Sequence, residues 1–145
     1  MNREKIYKAL FKKLKGCYSW VTTDRVLKHW ADVPSDQQPA LFMTQVNEDP
    51  QTITRQPTKW SLKVKIYVYT YTSDGGDEDG ERALQINEAL DAITEAMKPD
   101  NAVVEVQNLG GLVEWVKIDG TIETDEGFLG QQSVAIIPIT IYLGD

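Results

Sequence analysis

The sequence predicts an α+β fold: a mostly antiparallel sheet of four to five strands with two main helices packed on one of its faces. Three observations carry this. Residues 2–15 repeat apolar side chains at helical spacing. Residues 60–71 alternate with period two. Residues 81–98 return to helical spacing and are followed by two long strand-like runs. The chain has 145 residues, which suits one compact domain over 1–145 with a core that needs no disulfide or metal to hold it.

In the first helix Ile6, Leu10, Leu14 and Cys17, joined by Tyr7 and Phe11, form one apolar stripe. Lys5, Lys8, Lys12 and Lys15 recur on the opposite side, Asn2 suits the N-cap, and Gly16 suits the position just past the end. Residues 17–32 lean towards strand through Val21, Thr22, Thr23, Val26, Leu27 and Trp30, and end in a turn at Pro34-Ser-Asp36. The apolar run from Pro39 to Val46 has the length of a buried strand, and Asn47-Glu-Asp-Pro50 reads as its terminating turn. Residues 47–58, with two prolines, then read as a mobile surface loop.

From Trp60 to Tyr71 the pattern is clearest. Trp60, Leu62, Val64, Ile66 and Val68 form a core face; Ser61, Lys63, Lys65, Tyr67, Tyr69 and Tyr71 form the other. At about 3.3 Å per residue such a strand runs about 40 Å, enough to span the domain. Three tyrosines in a row suit either an interface or a face covered by a second helix.

Ser73 to Glu81 is rich in glycine and acid, and Asp74, Asp77, Glu78 and Asp79 read as a mobile acidic loop that ends in a helix cap. It superficially resembles a calcium loop, but no register places its acids, glycine and glutamate as an EF-hand requires. The second helix follows, with Ala83, Ile86, Leu90, Ile93 and Met97 inward, Glu88, Asp91 and Glu95 outward, and Pro99 as its stop. A short extended piece is expected at 102–106 and a turn at Asn108-Leu-Gly-Gly111. Residues 112–123 and 133–143 read as strands joined by an acidic loop at 124–130, and Pro138 suggests an edge or a bulge in the last.

Charge is unevenly distributed. Lys and Arg number 15 and Asp and Glu 22, a net of −7. Residues 1–30 hold eight basic and two acidic residues, a net of +6; the remainder is −13. The acidic total argues against nucleic-acid or membrane-surface binding as the main activity. The split fits head-to-tail contact between copies, a basic helix on an anionic partner, or two solvated faces. One cysteine forms no internal disulfide, which suits a reducing compartment. No run reaches the length of a membrane span, and the first residues read as a charged helix, not a signal peptide.

Catalytic chemistry has no constellation in this sequence. The single histidine, His29, lacks ligands at metal spacing, and Cys17 reads as a buried, inert thiol. There is no nucleophile elbow and no phosphate-binding glycine loop. No catalytic, metal or cofactor site is expected, and an interaction protein is favoured over an enzyme. The candidate contact residues are Lys63, Lys65, Tyr67, Tyr69 and Tyr71 on the long strand, and Lys5, Lys8 and Lys12 on the first helix.

The order of these pieces follows a recognisable pattern. A basic amphipathic helix leads to Thr23-Asp-Arg-Val-Leu-Lys-His-Trp30 and Gln38-Pro-Ala-Leu-Phe42. The aromatic strand 60–71 precedes a helix containing Ile86-Asn-Glu-Ala-Leu90. Asn108-Leu-Gly-Gly-Leu-Val113, Ile118-Asp-Gly120 and an apolar closing strand follow. Over nearly the whole chain this resembles the tail terminator (tail completion) proteins of long-tailed bacteriophages. The resemblance implies a homo-hexameric ring on the last ring of the tail tube, which ends tube polymerisation and offers a docking surface to the head-completion or connector protein. It implies a central channel that DNA traverses without sequence-specific binding, a place in the virion at the head-proximal end of the tail, and assembly in the host cytoplasm. It brings no catalytic residues. A head–tail connector or stopper subunit, or an adaptor domain that binds an anionic partner through its basic helix, stand as alternatives.

Overall fold

The computed structural model describes residues 1–71, 81–129 and 132–144. These form two α-helices and a six-stranded sheet, an α+β fold with both helices on one sheet face. The elements are α1 (Arg3–Lys15), β1 (Thr22–Asp24), two short 3-10 turns, β2 (Ala40–Gln51), β3 (Lys59–Tyr71), α2 (Glu81–Ala96), β4 (Trp115–Ile118), β5 (Glu123–Leu129) and β6 (Gln132–Gly144). The strand order is β1-β2-β3-β6-β4, with β5 paired to β6 along the same side as β4. Every pairing is antiparallel except β1 with β2.

Helix α1 starts at its expected cap: the Asn2 side chain accepts from the Lys5 N–H at 3.1 Å. Ile6, Tyr7, Leu10 and Leu14 are buried, and the lysine stripe faces water. At the other end Gly16 is the C-cap in the right-handed region (φ −85°), so the left-handed conformation that favours glycine is not used. Trp20 Nε1 donates to the Leu14 carbonyl at 2.9 Å, which also accepts from the Cys17 N–H at 3.2 Å. Cys17 falls just beyond the helix and is half-buried, with burial pushing its thiol up. In α2, Ile86, Ala89 and Ile93 are buried, as is Met97 just past its end; Leu90 is half-buried because Ala89 takes the inward position beside Ile86 and Ile93.

Several boundaries differ from the sequence expectation. Only 22–24 of the segment 17–32 is a strand, and the next residues make a long crossover that parallel pairing with β2 requires. Strand β2 runs through the expected turn at 47–50 to Gln51, which leaves only 52–58 as connection. Residues 102–106 form turns and bends, not an extended piece. The run 112–123 is broken around Gly120, and residues 124–129 of the expected loop belong to strand β5. The acidic stretch with Asp74, Asp77, Glu78 and Asp79 lies outside the described residues, as does the calcium question attached to it.

Pro138 is not in an edge strand. β6 pairs with β3 along one side and with β4 and β5 along the other. The proline is tolerated because it faces the break between those two: β4 ends opposite Ile139 and β5 begins opposite Ile136. N–H and C=O of one strand residue point to the same neighbour, and the Pro138 carbonyl accepts from the Asp119 N–H at 3.0 Å. Its missing N–H therefore faces the gap, where no strand needs a donor. Gly120 turns the chain there at φ +122°, and a Cβ on it would meet Pro138 Cγ at 3.1 Å.

Beneath the helices lies the main core, in which Leu10, Leu14, Ile86 and Ile93 pack on Leu62, Ile66, Ile137 and Ile141. A second cluster occupies one half of the opposite, outer face: Val33, Ala40, Phe42, Tyr69 and Val134, with Trp30, Tyr67 and Ile136 at its margin. The lid of this cluster is the 28–33 part of the crossover. His29 Nδ1 caps its 3-10 turn by accepting from Ala31 N–H at 3.1 Å, and Tyr69 Oη donates to the Lys28 carbonyl at 2.7 Å.

Candidate interaction surface

The lid stops halfway along the sheet. Beyond it the outer face presents Lys59, Ser61, Lys63 and Lys65 from β3, Pro138, Thr140 and Tyr142 from β6, and Trp115 and Lys117 from β4. Register decides this grouping: Lys63 and Lys117 flank Thr140 on successive strands, and Trp115 sits opposite Tyr142. The sheet thus brings together residues more than fifty positions apart in the chain.

This uncovered half is aromatic and basic. The Trp115 and Tyr142 rings stack at 5.0 Å with 15° between their planes. Lys117 Nζ lies 4.6 Å from the Trp115 ring centroid and Lys59 Nζ 6.0 Å from that of Tyr142. Lys59 also pairs with Glu114, and the link holds its ammonium above the usual lysine range. Lys63 reaches to 3.9 Å from Asp49, a long, exposed pair of little energetic weight. Lys63, Lys65 and Lys117 are exposed, whereas Thr140 between Lys63 and Lys117 is buried. A groove of about 420 Å³ runs beside them, lined by Asn47, Lys63, Lys65, Asp119, Pro138 and Thr140.

The tyrosine row is divided. Tyr69 is only 3% exposed and belongs to the covered cluster, with the Phe42 ring 5.5 Å away. Buried there, it is no part of the contact surface expected for it; the cover is the crossover, not a helix. Burial pushes its phenol up to about 12. Tyr67 is half-buried at the margin of the lid, and Tyr71, 42% exposed, ends the strand.

Lys5, Lys8 and Lys12 are exposed on α1, across the sheet from Lys63 and Lys65. The candidate residues therefore form two surfaces, not one. The helix layer also carries the acidic side of α2, where Leu84, Glu88, Asp91 and Glu95 lie on one exposed stripe. Trp115, Lys117 and Tyr142 went unrecognised in the sequence. Their alternation with buried Val116 and Ile141 was legible, but their union with Lys63 depends on β4 pairing to β6.

Gln107 is a second residue that sequence reasoning missed. It is buried, donates through Nε2 to the Lys98 carbonyl at 2.7 Å and to Asp100 at 2.9 Å, and accepts from the Leu109 N–H at 3.0 Å. It ties the end of α2 to the turn before β4, where Leu109 (φ 53°), Gly110 and Gly111 take left-handed conformations. Among the described residues no group of three or more His, Cys, Asp or Glu could hold a metal ion, and no helix is long and apolar enough to cross a membrane. No protein-family model matches the chain, and neither does any curated protein.

Proposed function

We propose that the chain is a structural subunit of a long-tailed phage, of the tail terminator type, that assembles as a ring, ends tail-tube polymerisation and offers the head or connector its docking surface. The observation that carries this is the half-covered outer face, where an aromatic, lysine-rich strip lies opposite a helix layer with an acidic stripe. A ring needs a heterologous interface, two unlike surfaces on one subunit, and this distribution supplies two. The net charge of −7 suits a channel past which a polyanion slides without sticking. Negative-stain imaging of the protein mixed with purified tail tubes tests the proposal. Density capping one tube end is the expected result; bare ends at saturating protein overturn it. Density at the connector instead would assign the chain to the stopper class.

The exposed lysines of α1 favour one second reading, an adaptor that binds an anionic partner through that helix. It predicts salt-dependent DNA binding that vanishes when Lys5, Lys8, Lys12 and Lys15 are neutralised. Wild-type protein that fails to bind DNA at low salt excludes that partner.

A further inference from the structure

We infer that successive copies meet head to tail, the Lys63 and Lys117 strip of one copy receiving the Glu88–Asp91–Glu95 stripe of α2 from the next. This rests on the ring reading above and names the two surfaces that would close it.

Spacing is the first argument. Lys63 and Lys117 stand two strands apart, about 10 Å at about 4.8 Å per strand. Glu88 and Glu95 are seven residues apart on one helix, about 10 Å at 1.5 Å per residue, with Asp91 between them. Two acids on one helix face can thus oppose two lysines at matched separation. Apolar contact is the second. Leu84, on the same α2 stripe, is 55% exposed, and the strip offers half-buried Trp115, Tyr142 and Pro138 as its floor.

Charge selects the class of partner. Asp49, Glu114 and Asp119 border the lysines, and Lys98 pairs with Glu95 at 2.7 Å on the stripe, so both surfaces are of mixed sign, which two protein surfaces can match and a uniform phosphate polyanion cannot. The strip and the stripe lie on opposite faces of the sheet. One copy therefore cannot satisfy itself, and the contact propagates from subunit to subunit.

A charge swap tests this. The K63E/K117E variant has two acidic surfaces, and E88K/E95K has two basic ones. All four positions are exposed, and circular dichroism checks that each variant folds. Light scattering at high protein concentration, alone and with tail tubes, should show wild-type oligomers, each variant alone as monomer, and assembly restored in the equimolar mixture, where both kinds of contact are again opposite in sign. If wild type assembles and K63E/K117E assembles equally well, the proposed contact is wrong and the ring reading stands. If wild type remains monomeric under both conditions, both fall.

Discussion

The Tyr7 hydroxyl donates to Glu48 Oε1 at 2.8 Å, joining the first helix to a strand 41 residues further along the chain. The contact exists because β2 changes register. The pairing with β3 shifts between Gln45 and Asn47, leaving Val46 as an extra, exposed residue. The shift carries Glu48, paired with buried Leu62, to the helix side of the sheet. There Arg3 Nε also reaches Glu48 at 2.6 Å, and Arg25 bridges Glu4 and Gln45. A segment that reads as a turn is held as strand by side chains from α1.

Removing the Tyr7 hydroxyl should therefore cost stability without removing the ring from the core. Tyr7→Phe is expected to lower unfolding free energy by about 1 kcal/mol, the usual value for such a bond. Urea denaturation measures it. Glu48→Ala should cost more, because it removes the Arg3 ion pair as well as the acceptor of the Tyr7 hydroxyl. Equal losses in the two variants would contradict this account.

Tyr69 gives an alkaline signature. Its phenol titrates near 10 when unfolded and about 12 when folded, with burial as the main cause. The folded state thus holds this proton more tightly. The resulting stability is fully present below pH 10 and is lost as pH rises towards 12. Tyr7 is also raised, chiefly by burial, and acts in the same direction. Stability measured from pH 8 to 11.5 should fall, and less steeply in Tyr69→Phe. That variant should also speed amide exchange in the 28–33 lid, since the Lys28 carbonyl loses its donor.

Gly120→Ala should destabilise by about 1–3 kcal/mol. The backbone there sits at φ +122°, and the added methyl would press on the Pro138 ring. Gly110→Ala meets no neighbouring atom within 4 Å, so its cost comes from conformation alone and should be the smaller. Thermal melts rank the two, and a reversed order would refute the steric part of the explanation.

Asp100 should matter at neutral pH and not in acid. Its carboxyl is held below the usual range first by the hydrogen bond from Gln107 and then by the bond from Lys13, which reaches it at 3.0 Å. A lowered folded value means stability present above about pH 4 and lost as pH falls through the folded value. Asp100→Asn should be less stable than wild type at pH 7 and nearly equal to it at pH 3. An unchanged gap at the two pH values would show that charge is not what the site uses.

Both helices, the long β3 strand and the fold class were legible in the sequence, because an element that buries one face must repeat its apolar residues at its own period. The pattern failed where tertiary contacts outweighed local preference. Asn47 to Pro50 has turn chemistry but gains two partners in β3 and α1. Pro138 suggests an edge, yet a gap between β4 and β5 lets it sit in a central strand. Tyr67, Tyr69 and Tyr71 share one sequence pattern and have three environments, because the crossover covers half of their face and periodicity is blind to what lies above a sheet. The uneven charge, too, was countable from the sequence alone. Which charges become neighbours was not: Lys63 and Lys117 are brought together only by β6 pairing with both β3 and β4, a matter of strand order that no local preference encodes.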